Sequence, residues 1–242
     1  MRRRDALVLG GIVATAVALP PILRRLPSDF EFQPIAGTEG FRRLVTGSFS
    51  GGVDPFFGLG EDRLPTHRKP LCTSLFGAEG WSGQRVPVAF FTDANCPYCK
   101  DIEGRLVKMR DGGAPIRLIW HELPLLGPSS IRHAQAILAA RLMGAEEAAR
   151  DYLSNRALRP GAIALKELAR ALGLDEEVYL LSVRSPRVEA LIAESIALGR
   201  RLGIPGTPGT VIGRTLVIGA IKDADLRKLI ELERNMPQTV CD

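Results

Sequence analysis

Histidine and cysteine are scarce in this chain: three histidines and four cysteines among 242 residues. Only Cys96 and Cys99 are closely spaced; Cys72 and Cys241 stand alone. A structural zinc site usually shows a second CxxC or a histidine pair at ligand spacing. His67, His121 and His133 offer no such spacing. Soft thiolates suit Cu(I), but the four methionines form no cluster that would mark a copper carrier. A thiol-based copper or zinc chaperone is therefore a secondary reading. The chain also lacks a glycine-rich phosphate loop, so no organic cofactor is expected, and no resident metal either. Basic charge is missing where nucleic acid would need it. Residues 1–27 hold five arginines against Asp5, a net of +4, which leaves +1 of the overall +5 for everything after. No basic field remains to draw in a polyanion.

The one long apolar run lies at the start. Arg2-Arg3-Arg4 precedes an uncharged, mostly apolar stretch from Ala6 to Leu23. Ala14-Thr15-Ala16 and Ala16-Val17-Ala18 have the form of small-residue cleavage sites. The stretch is also just long enough for a short transmembrane helix, with Pro20-Pro21 distorting its end. Residues 1–27 therefore read as a signal peptide or an N-terminal membrane anchor. Arginine pairs on both flanks leave orientation open, and Arg3-Arg4-Asp5-Ala6-Leu7 has the look of a twin-arginine signal. Either way the chain is expected outside the cytoplasm, where disulfides persist.

Residues 28–70 read as an extended linker or N-terminal arm, broken by Gly51-Gly52, Asp54-Pro55 and Lys69-Pro70. Their many phenylalanines suggest packing on the chain's own domain or on a partner. A globular pattern begins at Leu71. Strands are expected at 86–93, 116–122, 210–212 and 215–218, and helices at 97–111 and 223–235. Between the second and third strands lies a long helical block, about 129–202, broken at 154–161, 173–175 and 183–185. Without the block the order is β-α-β, then β-β-α: a crossover between parallel strands followed by a hairpin. The block would be an inserted all-helical subdomain.

Cys96-Pro97-Tyr98-Cys99 sits where the first strand hands over to the first helix. A helix N-terminus carries partial positive charge and free N–H groups, which stabilise a thiolate. Pro97 suits the first helical turn, where its missing N–H costs nothing. Cys96 is expected at the helix start, exposed and activated. Cys99 is expected one turn further in, able to attack a mixed disulfide formed at Cys96.

This layout resembles the thioredoxin fold, a central mixed sheet flanked by helices. With its helical insertion it is similar to the DsbA-like thiol–disulfide oxidoreductases. Three segments carry the likeness over residues 71–236: Phe90 to Cys99 with the CxxC, Glu122 to Ser130 leading into the insertion, and Gly203 to Thr210 around Pro208. The resemblance implies a domain over 71–242 and a cis Thr207–Pro208 bond lying against Cys96. It implies that the Thr207 backbone pairs with an extended substrate, strand fashion. It makes Cys96, Cys99, Thr207 and Pro208 the catalytic set, with Pro97 and Tyr98 supporting. It implies protein substrates, reduced or misoxidised, and a membrane redox partner that recycles the Cys96–Cys99 pair. The expected compartment is the bacterial periplasm, soluble or tethered through residues 6–23, and the expected state is a monomer. Oxidase is the leading direction, with isomerase or reductase as the alternative; Thr207 before the proline and Pro97-Tyr98 between the cysteines look like isomerase-type relatives. With Cys96–Cys99 as the active pair, Cys72 and Cys241 remain as a structural disulfide, an intermolecular one, or two free thiols. Two positions depart from the family. Phe90 stands where relatives place a buried acid, and His121 where they often place a lysine. Asp93 is expected exposed at the strand end. His121 is read as a satisfied strand histidine, with proton relay as its alternative.

Overall fold

The computed structural model describes residues 29–45, 70–81, 84–154 and 156–236. The expected signal or anchor over 1–27 lies outside those residues. Among the described residues no helix is long and apolar enough to cross a membrane.

Among the described residues six strands form one mixed sheet: β1 (Gln33–Pro34), β2 (Arg42–Val45), β3 (Val86–Thr92), β4 (Ile116–Glu122), β5 (Gly209–Ile212) and β6 (Thr215–Ile218), in the order β1-β2-β6-β5-β3-β4. All seven residues of β3 are buried. It lies between β4, parallel, and β5, antiparallel, with helices on both faces, which is why its sequence is an unbroken apolar run rather than an alternation. Pro87 is tolerated here because it stands at the end of the β5 ladder, where its carbonyl still accepts from the Gly213 amide at 2.9 Å and only the terminal donor is missing.

Period-2 alternation sorts the strand into two cores. Val86, Val88 and Phe90 face a cluster with Ile102, Leu106, Leu226 and Leu229, from helices α2 (Pro97–Asp111) and α8 (Asp223–Arg234). Ala89 and Phe91 face the opposite cluster, with Leu75 and Phe76 of α1 (Leu71–Phe76) and Leu198 of α7 (Pro186–Arg201). The short α1 is absent from the sequence reading, because six residues are too few to show a helical period.

The insertion consists of α3 (Pro128–Leu142), α4 (Glu146–Ser154), α5 (Ala162–Ala171), α6 (Glu176–Val183) and α7. It has a core of its own around Leu138, Leu168, Tyr179 and Val188. The buried Tyr179 hydroxyl donates to the Ala136 carbonyl at 2.9 Å. Asp175 and Ser185 cap α6 and α7 at two of the expected breaks, accepting from the amides of Val178 and Val188. A further break, between α3 and α4, is made by Gly144 at φ +75°.

The tether reading needs correction over residues 29–45. There the chain joins the sheet, with β2 running parallel to β6 and β1 folding back on β2. Ile35, Phe41 and Leu44 are buried, so this arm covers what would otherwise be an open edge of the sheet. Arg42 ties it to α8 by a 2.7 Å ion pair with the buried Glu233, which also accepts from the Thr215 hydroxyl at 2.6 Å.

Candidate active site

Cys96 is the N-cap of α2 and Pro97 its first residue. The Cys96 sulfur accepts from the Cys99 amide at 3.1 Å, and the Cys96 amide donates to the Asp93 carbonyl at 3.0 Å. The two sulfurs are joined as a disulfide, with the Cα atoms 5.3 Å apart. A sulfur at this position receives an oriented N–H and the positive end of the helix, both of which favour its anionic form on reduction.

The Thr207–Pro208 bond is cis. The Thr207 carbonyl oxygen lies 3.4 Å from the Cys96 sulfur, across 111 positions of sequence. Strand pairing explains the approach. Gly209 opens β5 opposite Phe91, near the end of β3, so the loop entering β5 meets the loop leaving β3. That cover also corrects one expectation: Cys96 is only 2% exposed, and Cys99 1%. Tyr98 between them points outward, 41% exposed. The cysteines reach solvent through a cleft of about 1180 Å³ between α2 and the inserted helices, which both of them line.

Asp93 is a second correction. It is buried rather than exposed at the strand end. Its carboxylate accepts from the amides of Asn95 (2.8 Å), Leu125 (2.7 Å) and Leu126 (3.0 Å) and from the Ser130 hydroxyl (2.6 Å). Four donors replace the water that burial removes. The Asn95 side chain adds bonds to Ser129 and Ser130. Together these bonds fasten the loop that carries Cys96 to the start of the insertion.

His121 stays apart from the thiol chemistry. In register with Phe91, it faces the core opposite the cysteines and stacks on the Phe91 ring at 4.7 Å. Its Nε2–H donates to the Leu75 carbonyl at 2.9 Å. Burial lowers its pKa to about 4, so it is neutral at physiological pH. The satisfied strand histidine is the geometry found.

Glu122 is a residue of the site that sequence reasoning did not single out. One position on, it returns to the cysteine side and is buried beside the cleft. Its carboxylate bonds the buried Arg150 guanidinium of α4, which also meets Glu146 at 3.0 Å and Glu103 at 3.7 Å and lies over the Trp120 ring. Arg141 holds Glu146 at 2.7 Å. Burial pushes Glu122 and Glu103 above the usual carboxylate range, against the pull of Arg150. At Glu146 burial acts in the same upward direction, but its bonds to Arg141 and its charge pairs with Arg141 and Arg150 outweigh it and lower the pKa. No local pattern marks such a cluster; its members come from β4, α2, α3 and α4.

Among the described residues no group of three or more His, Cys, Asp or Glu is arranged to hold a metal ion. Cys72 is buried on α1, and Cys241 lies outside the described residues, so their pairing stays an expectation.

Residues 87–231 match the DSBA-like thioredoxin domain family. A thioredoxin-like oxidoreductase from Silicibacter pomeroyi is similar in structure, at 32% identity and a TM-score of 0.59, over 68% of this chain and 98% of that one. The thiol-disulfide exchange protein alpha-DsbA2 from Wolbachia pipientis is similar at 27% identity and a TM-score of 0.57, over 66% of this chain and 90% of that one. A curated relative from Bordetella avium, a probable thiol:disulfide interchange protein DsbC, is 26% identical over 173 residues, 70% of this chain. The chain spans about half of that relative's length, 49%. With the disulfide at a helix start, the cis proline against it and a family match over well over half its length, the chain belongs to the DsbA-like thioredoxin domain family of thiol–disulfide oxidoreductases.

Proposed function

We propose that this protein is an exported oxidase that introduces disulfides into reduced protein substrates through Cys96 and Cys99. The observation that carries the reading is the bond from the Cys99 amide to the Cys96 sulfur at the N-terminus of α2. An interaction that favours the Cys96 thiolate stabilises the reduced enzyme and makes its disulfide the stronger oxidant. In the reaction a substrate thiolate attacks the Cys96 sulfur, the Cys96–Cys99 bond breaks, and Cys99 leaves as a thiolate. A second substrate thiolate then attacks the substrate sulfur of the mixed disulfide. Cys96 leaves as a thiolate, and the two electrons remain on the enzyme dithiol. The Thr207 backbone, held beside Cys96, pairs with the substrate chain during exchange. A membrane redox partner takes the electrons and restores the disulfide. Arg2-Arg3-Arg4 and the apolar run after them support export to the periplasm.

Isomerase or reductase is the second reading. It is favoured by Thr207 before the cis proline and by the likeness to a curated relative named as a DsbC. There the reduced enzyme's Cys96 attacks and Cys99 resolves the intermediate. The reduction potential separates the two. The redox state of Cys96 and Cys99 is read in the full chain by alkylation and mass analysis across a series of thiol–disulfide buffers. A value near about −120 mV supports the oxidase; a value near about −270 mV identifies a reductant and overturns it.

A further inference from the structure

The cleft beside Cys96 has walls of different charge. On the side of α2 and β4 the acids Glu103 and Glu122 are engaged by Arg150. The wall from the inserted helices carries Arg132, Arg156 and Arg159 against two acids there, Asp151 and Glu147, the latter engaged by Arg110 of α2. Arg132 has a buried Nε with no hydrogen-bond partner. Arg156 lies over the Tyr152 ring and donates to the Tyr152 carbonyl, and among the described residues it forms no ion pair. Among the described residues Arg159 has one exposed contact, 3.4 Å to Glu167, the kind of pair that contributes little. The segment bearing Arg156 and Arg159 is held in place: the Leu158 amide donates to Nε2 of His133, whose Nδ1–H donates to the Ser129 carbonyl.

Resting on the thiol-exchange reading above, we infer that this arginine wall selects substrates whose reactive cysteine is flanked by acidic residues. The occupant is a polypeptide segment. At about 1180 Å³ the cleft exceeds the usual small-molecule site and has room for several residues beside the attacked sulfur. A carboxylate there gains the guanidiniums of Arg132 and Arg156 while the substrate thiolate approaches Cys96. The gain falls on encounter and orientation, and so on the rate of the first exchange step.

The test uses the oxidised full chain and three peptides, identical except that the single cysteine is flanked by glutamates, serines or lysines. Each rate of Cys96–Cys99 reduction is divided by the same peptide's rate with hydroxyethyl disulfide, which removes differences in the peptides' own thiol pKa. The glutamate peptide is expected to react about tenfold faster than the lysine peptide. The ratio is expected to fall towards one in about 1 M salt, where the screening length shrinks to about 3 Å. The triple variant Arg132→Gln/Arg156→Gln/Arg159→Gln should lose the preference and keep the serine-peptide rate. Equal ratios in the unmodified protein overturn the inference, as does a preference that survives both salt and the triple variant. Failure of the serine peptide to exchange at all strikes instead at the thiol-exchange reading on which the inference rests.

Discussion

The Thr207 carbonyl and the Cys96 sulfur stand 3.4 Å apart although 111 residues separate them in sequence. The contact is a consequence of sheet order. β5 lies antiparallel to β3, the strand that delivers Cys96, and the cis Thr207–Pro208 bond turns the chain just before β5 begins. A backbone acceptor beside an exchange-competent sulfur is what a substrate chain needs in order to align while its own sulfur reacts.

The position of Cys99 one turn into α2 leads to a trapping result. The Cys99→Ser variant lacks the resolving thiol, so mixed disulfides between Cys96 and substrate proteins should accumulate. They are seen as reducible higher-mass bands, with the partner identified by mass analysis. Cys96→Ser should accumulate none. Trapping through Cys99 in preference to Cys96 would reverse the assignment of the two roles.

Asp93 gathers four donors in a buried position. The Asp93→Ala variant strands them, and each buried donor left unpaired costs about 1–3 kcal/mol. Since Asn95 can recover water and the Ser130 hydroxyl can turn to another acceptor, the Leu125 and Leu126 amides remain stranded and the expected total loss is about 2–6 kcal/mol, read as a lower denaturation midpoint at unchanged m-value. A loss under about 0.5 kcal/mol would mean that the loop stands without the carboxylate.

His121 makes stability pH-dependent in a definite direction. Its folded pKa, about 4, lies below the unfolded value near 6.5, so the unfolded chain binds the extra proton first. Its contribution is complete above about 6.5 and is lost as pH falls towards 4, by up to about 3 kcal/mol. The His121→Phe variant should show a shallower fall of unfolding free energy between pH 6.5 and 4 than the unmodified protein. Identical slopes would place the titration elsewhere.

Arg150 neutralises acids from three elements at once. The Arg150→Met variant leaves Glu122 buried with its main partner gone, at a cost of about 3–5 kcal/mol. The double variant Glu122→Gln/Arg150→Met removes the stranded charge and should recover part of that loss. Strict additivity of the two substitutions in a double-mutant cycle would show that the pair is not coupled.

Much of the frame was legible in the chain itself, because its causes are local. β4 runs from Ile116 to Glu122 and α2 from Pro97 to Asp111, both as read, since a proline at the helix start, glycines at its end and an apolar run suffice to bound them. The CxxC announces its chemistry through spacing and the turn it occupies. Even so, the local signal misjudged exposure. A cysteine at a helix start looks open to solvent in the sequence, yet Cys96 is 2% exposed, because a loop over a hundred residues away lies across it.

What remained hidden depends on partners far along the chain. Residues 42–45 look like tether because a four-residue parallel strand has no periodicity of its own; only the open edge of β6 makes it a strand. The burial of Asp93 depends on amides at Leu125 and Leu126 that the sequence places more than thirty residues away. The Glu122–Arg150 pair likewise exists only once α4 is folded over β4. The sequence by itself determined the CxxC pair, the helix at whose start it lies and the strand and helix order of the sheet from residue 86 on, all set by neighbours within a few residues. Tertiary structure alone decided which atoms surround the sulfurs, since strand pairing and helix packing bring distant groups within bonding distance.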